Sequence, residues 1–126
     1  MSPFFGLWGT SSGRTGGSHT RLLRRTLARV IATLVTFRHT EATWDRARLE
    51  AISHSTAPKY KGKPGLVMKT YWYDDARMEH GGFYVWESRE FAEATHTDEH
   101  CERLAFLYGV MPTVRYLDAP VFVDNT

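Results

Sequence analysis

Two aromatic, strand-like runs joined by a short polar turn constrain this chain more than any other feature. The first runs Pro64-Gly65-Leu66-Val67-Met68-Lys69-Thr70-Tyr71-Trp72-Tyr73, and the second Gly81-Gly82-Phe83-Tyr84-Val85-Trp86. β-branched and aromatic side chains in alternation favour a pleated, half-buried surface. Leu66, Met68, Thr70 and Trp72 are expected on one sheet face, with Val67, Lys69, Tyr71 and Tyr73 on the other. The segment between the runs, Asp74 to His80, reads as a polar turn with a solvated His80. Gly81-Gly82 reads as the point where the backbone re-enters the sheet. The hairpin carries more rings than a small core needs, which suggests a face that packs a flat apolar ligand.

The rest of the body reads in order. Residues 29–37 are β-branched and apolar, predicting a first strand. Thr40 offers an N-cap and Glu41 a first-turn acid. Trp44, Ala47 and Ala51, with Leu49 and Ile52, predict a helix to about residue 55, and Pro58 ends it. Ser88 is expected to cap a short helix holding Phe91, Ala92 and Ala94. Thr97 or Asp98 is expected to cap another, which runs through Leu104, Phe106 and Leu107 to Gly109. Thr113 to Val123 predicts a last strand, with Pro120 at an edge or bend. No internal repeat is visible.

The order β-α-β-β-α-β with right-handed crossovers gives an α+β, ferredoxin-like fold: an antiparallel sheet with helices on one face. The other face would be bare and apolar. Burying it against a second copy makes a dimeric α+β barrel, so a homodimer is expected.

A chain of 126 residues suits one small domain. Its net charge of +2 is unevenly spread. All acidic residues follow position 40, whereas residues 1–40 hold Arg14, Arg21, Arg24, Arg25, Arg29 and Arg38. The body is therefore acidic, which argues against a nucleic-acid partner. Residues 1–26 read as a flexible basic leader ahead of a 27–126 domain. Their Arg/Ser composition superficially resembles a transit peptide, but an extension is the simpler account. No run approaches a membrane span. The single Cys101 excludes an internal disulfide and fits a cytoplasmic location.

Pro64-Gly65-Leu66 with Lys69, Gly81-Gly82-Phe83-Tyr84-Val85-Trp86, Glu87-Ser88 and the Phe91-Ala92 helix resemble the YdhR-type monooxygenases. These belong to the dimeric α+β barrel superfamily, near the antibiotic-biosynthesis monooxygenases. The resemblance spans residues 29–124. It implies a pocket between sheet and helices and, as the preferred reading, a cofactor-independent monooxygenase acting on an aromatic or polyketide-like phenol; the alternatives are a non-catalytic ligand-binding or stress-response dimer and a polyketide cyclase or isomerase. One fold hosts all of these.

Lys69 is the first candidate catalytic residue. A partly buried ammonium has a lowered pKa and can stabilise a phenolate. Tyr71, Trp72, Tyr84 and Trp86 are candidate walls for a small aromatic substrate. His96 and His100 are candidate bases. Their spacing also resembles a helical metal pair, but a helix start at Thr97 or Asp98 separates them, and two histidines do not close a metal site. No metal and no cofactor is expected. Neither a phosphate loop nor a nucleophile elbow is present. His39 and His54 are weaker candidates.

Overall fold

Four strands and three helices follow one another in the order the sequence implies. The structure is a computed structural model and describes residues 30–125; the expected leader, 1–26, lies outside them. The elements are β1 (Ile31–Arg38), α1 (Arg46–Thr56), a 3₁₀ turn (Ala57–Tyr60), β2 (Leu66–Asp74), β3 (Glu79–Trp86), α2 (Arg89–Thr95), α3 (Asp98–Tyr108) and β4 (Thr113–Asp118). The strands form one sheet in the order β2-β3-β1-β4, with every neighbouring pair antiparallel. This is the ferredoxin-like α+β fold. No helix among the described residues is long and apolar enough to cross a membrane.

The first helix starts later than expected. Thr40 closes a turn instead, its carbonyl accepting the N–H of Thr43 and of Trp44. Asp45 is the N-cap, and its carboxylate accepts the Arg48 N–H at 3.2 Å. Its inward side also differs: Ala47 and Ala51 are exposed, while Leu49, Ser53 and Thr56 are buried. Pro58 falls inside the 3₁₀ turn that follows. Thr97 caps α3 by accepting the His100 N–H, and Gly109 ends it at φ +92°, where glycine costs least. Ser88 occupies the N-cap position of α2 without a side-chain hydrogen bond there. The last strand stops at Asp118 rather than Val123.

A β-bulge corrects the expected facing of β2. Leu66 pairs with Trp86 and Met68 with Val85, so Val67 is the extra residue. Leu66 thereby joins the core under the helices, whereas Val67 and Met68 pack with Val30, Phe83, Val85 and Phe122 on the opposite face. Beyond the bulge the alternation holds, and Lys69, Tyr71 and Tyr73 turn toward the helices while Trp72 faces away. The Pro64-Gly65-Leu66 corner has its own packing reason. Gly65 sits at φ +79° against the Phe91 ring, where a Cβ would lie 2.0 Å from the ring carbon.

Gly81 and Gly82 lie within β3, not at its entrance. The strand begins at Glu79, so His80, Tyr84 and Trp86 all project to the helix side and are buried. His80 is therefore not solvated: it is 1% exposed. It stacks on Phe37 at 4.5 Å and on Tyr73 at 5.6 Å, and Tyr108 leans on it at 4.6 Å. This ring column seals one end of the core.

Candidate functional site

Tyr71 and Tyr73 on the helix face of the sheet, and Tyr108 at the end of α3, bring their hydroxyls to the polar side of α1. Tyr73 donates to Ser53 Oγ at 2.7 Å, Ser53 Oγ pairs with the Tyr108 hydroxyl at 3.1 Å, and Thr56 Oγ1 pairs with Tyr71 at 2.9 Å. Buried hydroxyls need partners, and three tyrosines explain why α1 turns Ser53 and Thr56 inward. Between this layer and the sheet lies a cavity of about 20 Å³, room for roughly one water. Val35, Phe37 and Leu104 give it apolar walls; Lys69, Tyr71, Tyr84, Tyr60, Tyr108 and His80 bring polar atoms to it.

Lys69 reaches this cavity from β2. Its ammonium lies 3.5 Å from the centre of the Tyr60 ring, 4.0 Å from Tyr71 and 4.7 Å from Tyr84. The stem passes Gly82, where a Cβ would come 3.2 Å from Lys69 Cε. The ion pairs among the described residues all use arginine, and Lys69 is in none of them. Burial without a counter-ion disfavours the charge, while three ring faces favour it, each by roughly 0.5–2 kcal/mol. Desolvation wins, and the Lys69 pKa falls to about 7. Near neutral pH the group is therefore divided between amine and ammonium. The same burial pushes the Tyr71 and Tyr84 hydroxyls well above their usual range, so both stay protonated donors.

The two expected histidines sit behind this cage. Neither lines the cavity. His96 caps the C-terminus of α2, and its Nε2 lies 2.9 Å from Thr33 Oγ1. The Trp86 indole N–H donates to the same oxygen at 2.9 Å. Thr33 Oγ1 thus accepts the Trp86 proton and is also the hydrogen-bond partner of His96. The His96 ring stands edge-on to Tyr84 and Trp86. Burial lowers its pKa to about 4, with His100 and Lys69 adding smaller effects. His100 lies 3.4 Å from the Tyr60 hydroxyl, and burial lowers its pKa too. Through Tyr60 it borders the lysine cage.

The four expected ring walls divide. Tyr71 and Tyr84 line the cavity. Trp86 is fully buried beneath it, stacked on Tyr84 at 5.6 Å. Trp72 faces the opposite side of the sheet; its indole N–H is buried with no partner among the described residues. Tyr60, Tyr108, Ser53, Thr56, Thr33 and His80 were not anticipated at the site. Period-two spacing back from Trp86 through Tyr84 is the signal that would have found His80. Among the described residues no group of three or more His, Cys, Asp or Glu is placed to hold a metal.

A Thr33→Val variant tests the shared hydroxyl. It strips the Trp86 indole and His96 of their common partner inside the core. Such an unpaired buried donor costs about 1–3 kcal/mol. A drop of about 2 kcal/mol in urea unfolding is expected, with the fold retained.

No family model and no curated protein sequence matches this chain. Solved structures do. NE2512 of Nitrosomonas europaea, a protein of unknown function, superposes with a TM-score of 0.62 at 12% identity, over 79% of this chain and 97% of its own. Rv0793 of Mycobacterium tuberculosis gives 0.55 at 14%, over 77% and 99%. SnoaB of Streptomyces nogalater, a cofactor-independent oxygenase, gives 0.55 at 17%, over 75% and 97%. At these identities the likeness establishes the fold.

Proposed function

We propose that this chain is a cofactor-independent monooxygenase for an aromatic, polyketide-like phenol, bound between sheet and helices of each protomer of a homodimer. The observation that carries this reading is the Lys69 amine, caged by Tyr60, Tyr71 and Tyr84 at a buried cavity and titrating near pH 7. As its ammonium, such a group holds the phenolate oxygen of a bound substrate. The tyrosine hydroxyls donate to the same oxygen. His100 orients Tyr60, and His96 supports Tyr84 from behind. The anion then reduces oxygen directly. An anthrone CH₂ loses one proton and bonds O₂ as a hydroperoxide, and loss of its second C–H proton then breaks the O–O bond to leave C=O and water. SnoaB, which shares this fold, is a cofactor-independent oxygenase, and the YdhR-type resemblance points the same way.

The homodimer follows from the face opposite the helices. Half-buried Met68 and Phe83 form a small apolar patch there over the buried Val85, beside Ala119 and Phe122, and Trp72 brings to the same side a buried indole N–H with no partner among the described residues. A second copy covers that patch. We place the protein in the cytoplasm, with no membrane and no nucleic-acid partner.

One observation favours a second reading, a non-catalytic ligand-binding or stress-response dimer. The cavity is smaller than any phenol, so substrate entry requires it to widen. Oxygen uptake with an anthrone-type phenol separates the readings. Lys69→Met is expected to cut turnover at least about 100-fold without lowering the melting temperature, because it removes an unpaired buried charge and keeps the stem volume. Undiminished uptake in Lys69→Met would overturn the assignment. No uptake by the parent protein would favour the binding reading.

A further inference from the structure

Beside the lysine cage the cavity has a second polar feature that the reading above does not use. His80 is buried and lines the wall. Its Nδ1 lies 3.0 Å from His39 Nε2. Its Nε2 has no partner among the described residues, although it is shielded from solvent. A buried ring nitrogen is normally paired, so this one invites a water or a ligand atom. His39 Nδ1 in turn lies 3.0 Å from Thr43 Oγ1, and Thr43 sits in the half-exposed turn that leads to α1. Cavity, His80, His39, Thr43 and surface thus form one continuous hydrogen-bonded line.

We propose that His80 is the acid–base residue of this cavity, and that His39 and Thr43 carry its proton to the surface. In the resting state His80 holds its proton on Nδ1 and donates it to His39 Nε2, while His39 donates from Nδ1 to Thr43 Oγ1. A substrate O–H proton passes to His80 Nε2. The Nδ1 proton of His80 passes to His39 Nε2, that of His39 Nδ1 to Thr43, and the threonine proton to solvent. Both rings end as the other neutral tautomer. No imidazolium persists, which suits a site where burial drives the His80 pKa to about 3 and lowers that of His39. The oxyanion left in the cavity faces Lys69. The stacked Phe37 and Tyr73 rings fix the His80 plane, so Nδ1 and Nε2 keep their two directions.

This inference rests on reading the cavity as a phenol site, but its test does not need turnover. Long-range ¹H–¹⁵N spectra of histidine-labelled protein report which ring nitrogen is protonated. Free protein near pH 7.5 is expected to show His80 and His39 both neutral and both protonated at Nδ1. Saturating phenol is expected to shift both rings together toward the Nε2-protonated form. In His39→Gln, whose amide oxygen keeps an acceptor beside His80 but cannot relay, that shift at His80 is expected to vanish. No shift at His80, or a shift at His80 without one at His39, overturns the relay. In the oxygen assay His80→Gln is expected to lower kcat about 100-fold with KM within threefold. Turnover undiminished by His80→Gln overturns the role of His80 while leaving the oxygenase reading intact. Concerted shifts without any oxygen uptake support the relay and overturn the oxygenase reading.

Discussion

Gly81→Ala is expected to yield a chain that does not hold its sheet. A Cβ at this position would lie 1.7 Å from the Val35 carbonyl oxygen, far inside contact distance. The obstruction is backbone, not the tip of a flexible side chain. Gly81 pairs with Thr36 on one side and Trp72 on the other, so β3 is held between two strands and cannot retreat from either. Relief requires breaking the β1–β3 pairing, which runs from Ile31–Trp86 to Arg38–Glu79 and supports the core. A loss above about 4 kcal/mol is expected, a large part of the roughly 5–15 kcal/mol that holds a small domain. Thermal unfolding followed by circular dichroism measures it. Gly82→Ala is the matched control. There the nearest atoms are the Tyr84 ring at 3.0 Å and the movable Lys69 Cε at 3.2 Å. That variant should fold, with a cost of about 1 kcal/mol, while displacing the lysine from its cage. Melting of Gly81→Ala within a few degrees of the parent would show that β3 can shift after all.

Element order was legible because strands and helices differ in period. Residues 29–37 and the aromatic hairpin are rich in β-branched and aromatic side chains, and the caps at Thr97 and Gly109 lie where their chemistry allows. Three features were not legible, each for a physical reason. The bulge at Val67 inserts one residue of unchanged character, so composition does not register it while every upstream side chain changes face. Helix α1 hides Ser53 and Thr56, which read as surface residues until the tyrosines that bind them are in view. His80 ends the polar run that begins at Asp74-Asp75, and turn chemistry masked a strand that starts two residues earlier than the glycines suggest.

The site followed the same division. Lys69, Tyr71 and Tyr84 were visible because a lysine and two rings share one face of a strongly patterned hairpin. Tyr60 and Tyr108 were not, because each lies on a different element and meets the lysine or the cavity only through tertiary packing. Sequence spacing drew attention to His96 and His100, whose side chains the fold commits to Thr33 and Tyr60. The nitrogen left uncommitted belongs to His80. Proximity in the chain and availability in the fold therefore select different histidines.

Acid unfolding well above the carboxylate range is the second large effect expected. His80 and His96 have pKa values near 3 and 4 in the fold, against 6.5 in the unfolded chain. Both values are depressed, so below pH 6.5 the unfolded state binds more protons than the folded one. Stability is then fully present above pH 6.5 and is lost as pH falls toward the folded values. Each such histidine removes about 1.4 kcal/mol per pH unit in that window. Between pH 6.5 and 4.5 the pair removes roughly 5 kcal/mol, with His39 and His100 adding in the same direction. Lys69 adds no slope there, because below about pH 7 it is protonated in both states. Partly exposed pairs such as Arg46–Asp75 and Arg89–Glu93 contribute little. Urea unfolding at pH 7.5 and 4.5 is the measurement. His80→Phe keeps a ring beside Phe37, Tyr73 and Tyr108 and removes one proton site. It is expected to be less stable at pH 7.5, by about 1–3 kcal/mol for the partner taken from His39, yet to show a shallower pH slope. Equal stability of the parent at the two pH values would mean that these rings are hydrated or already charged, and the buried neutral pair at the core of the site would not exist.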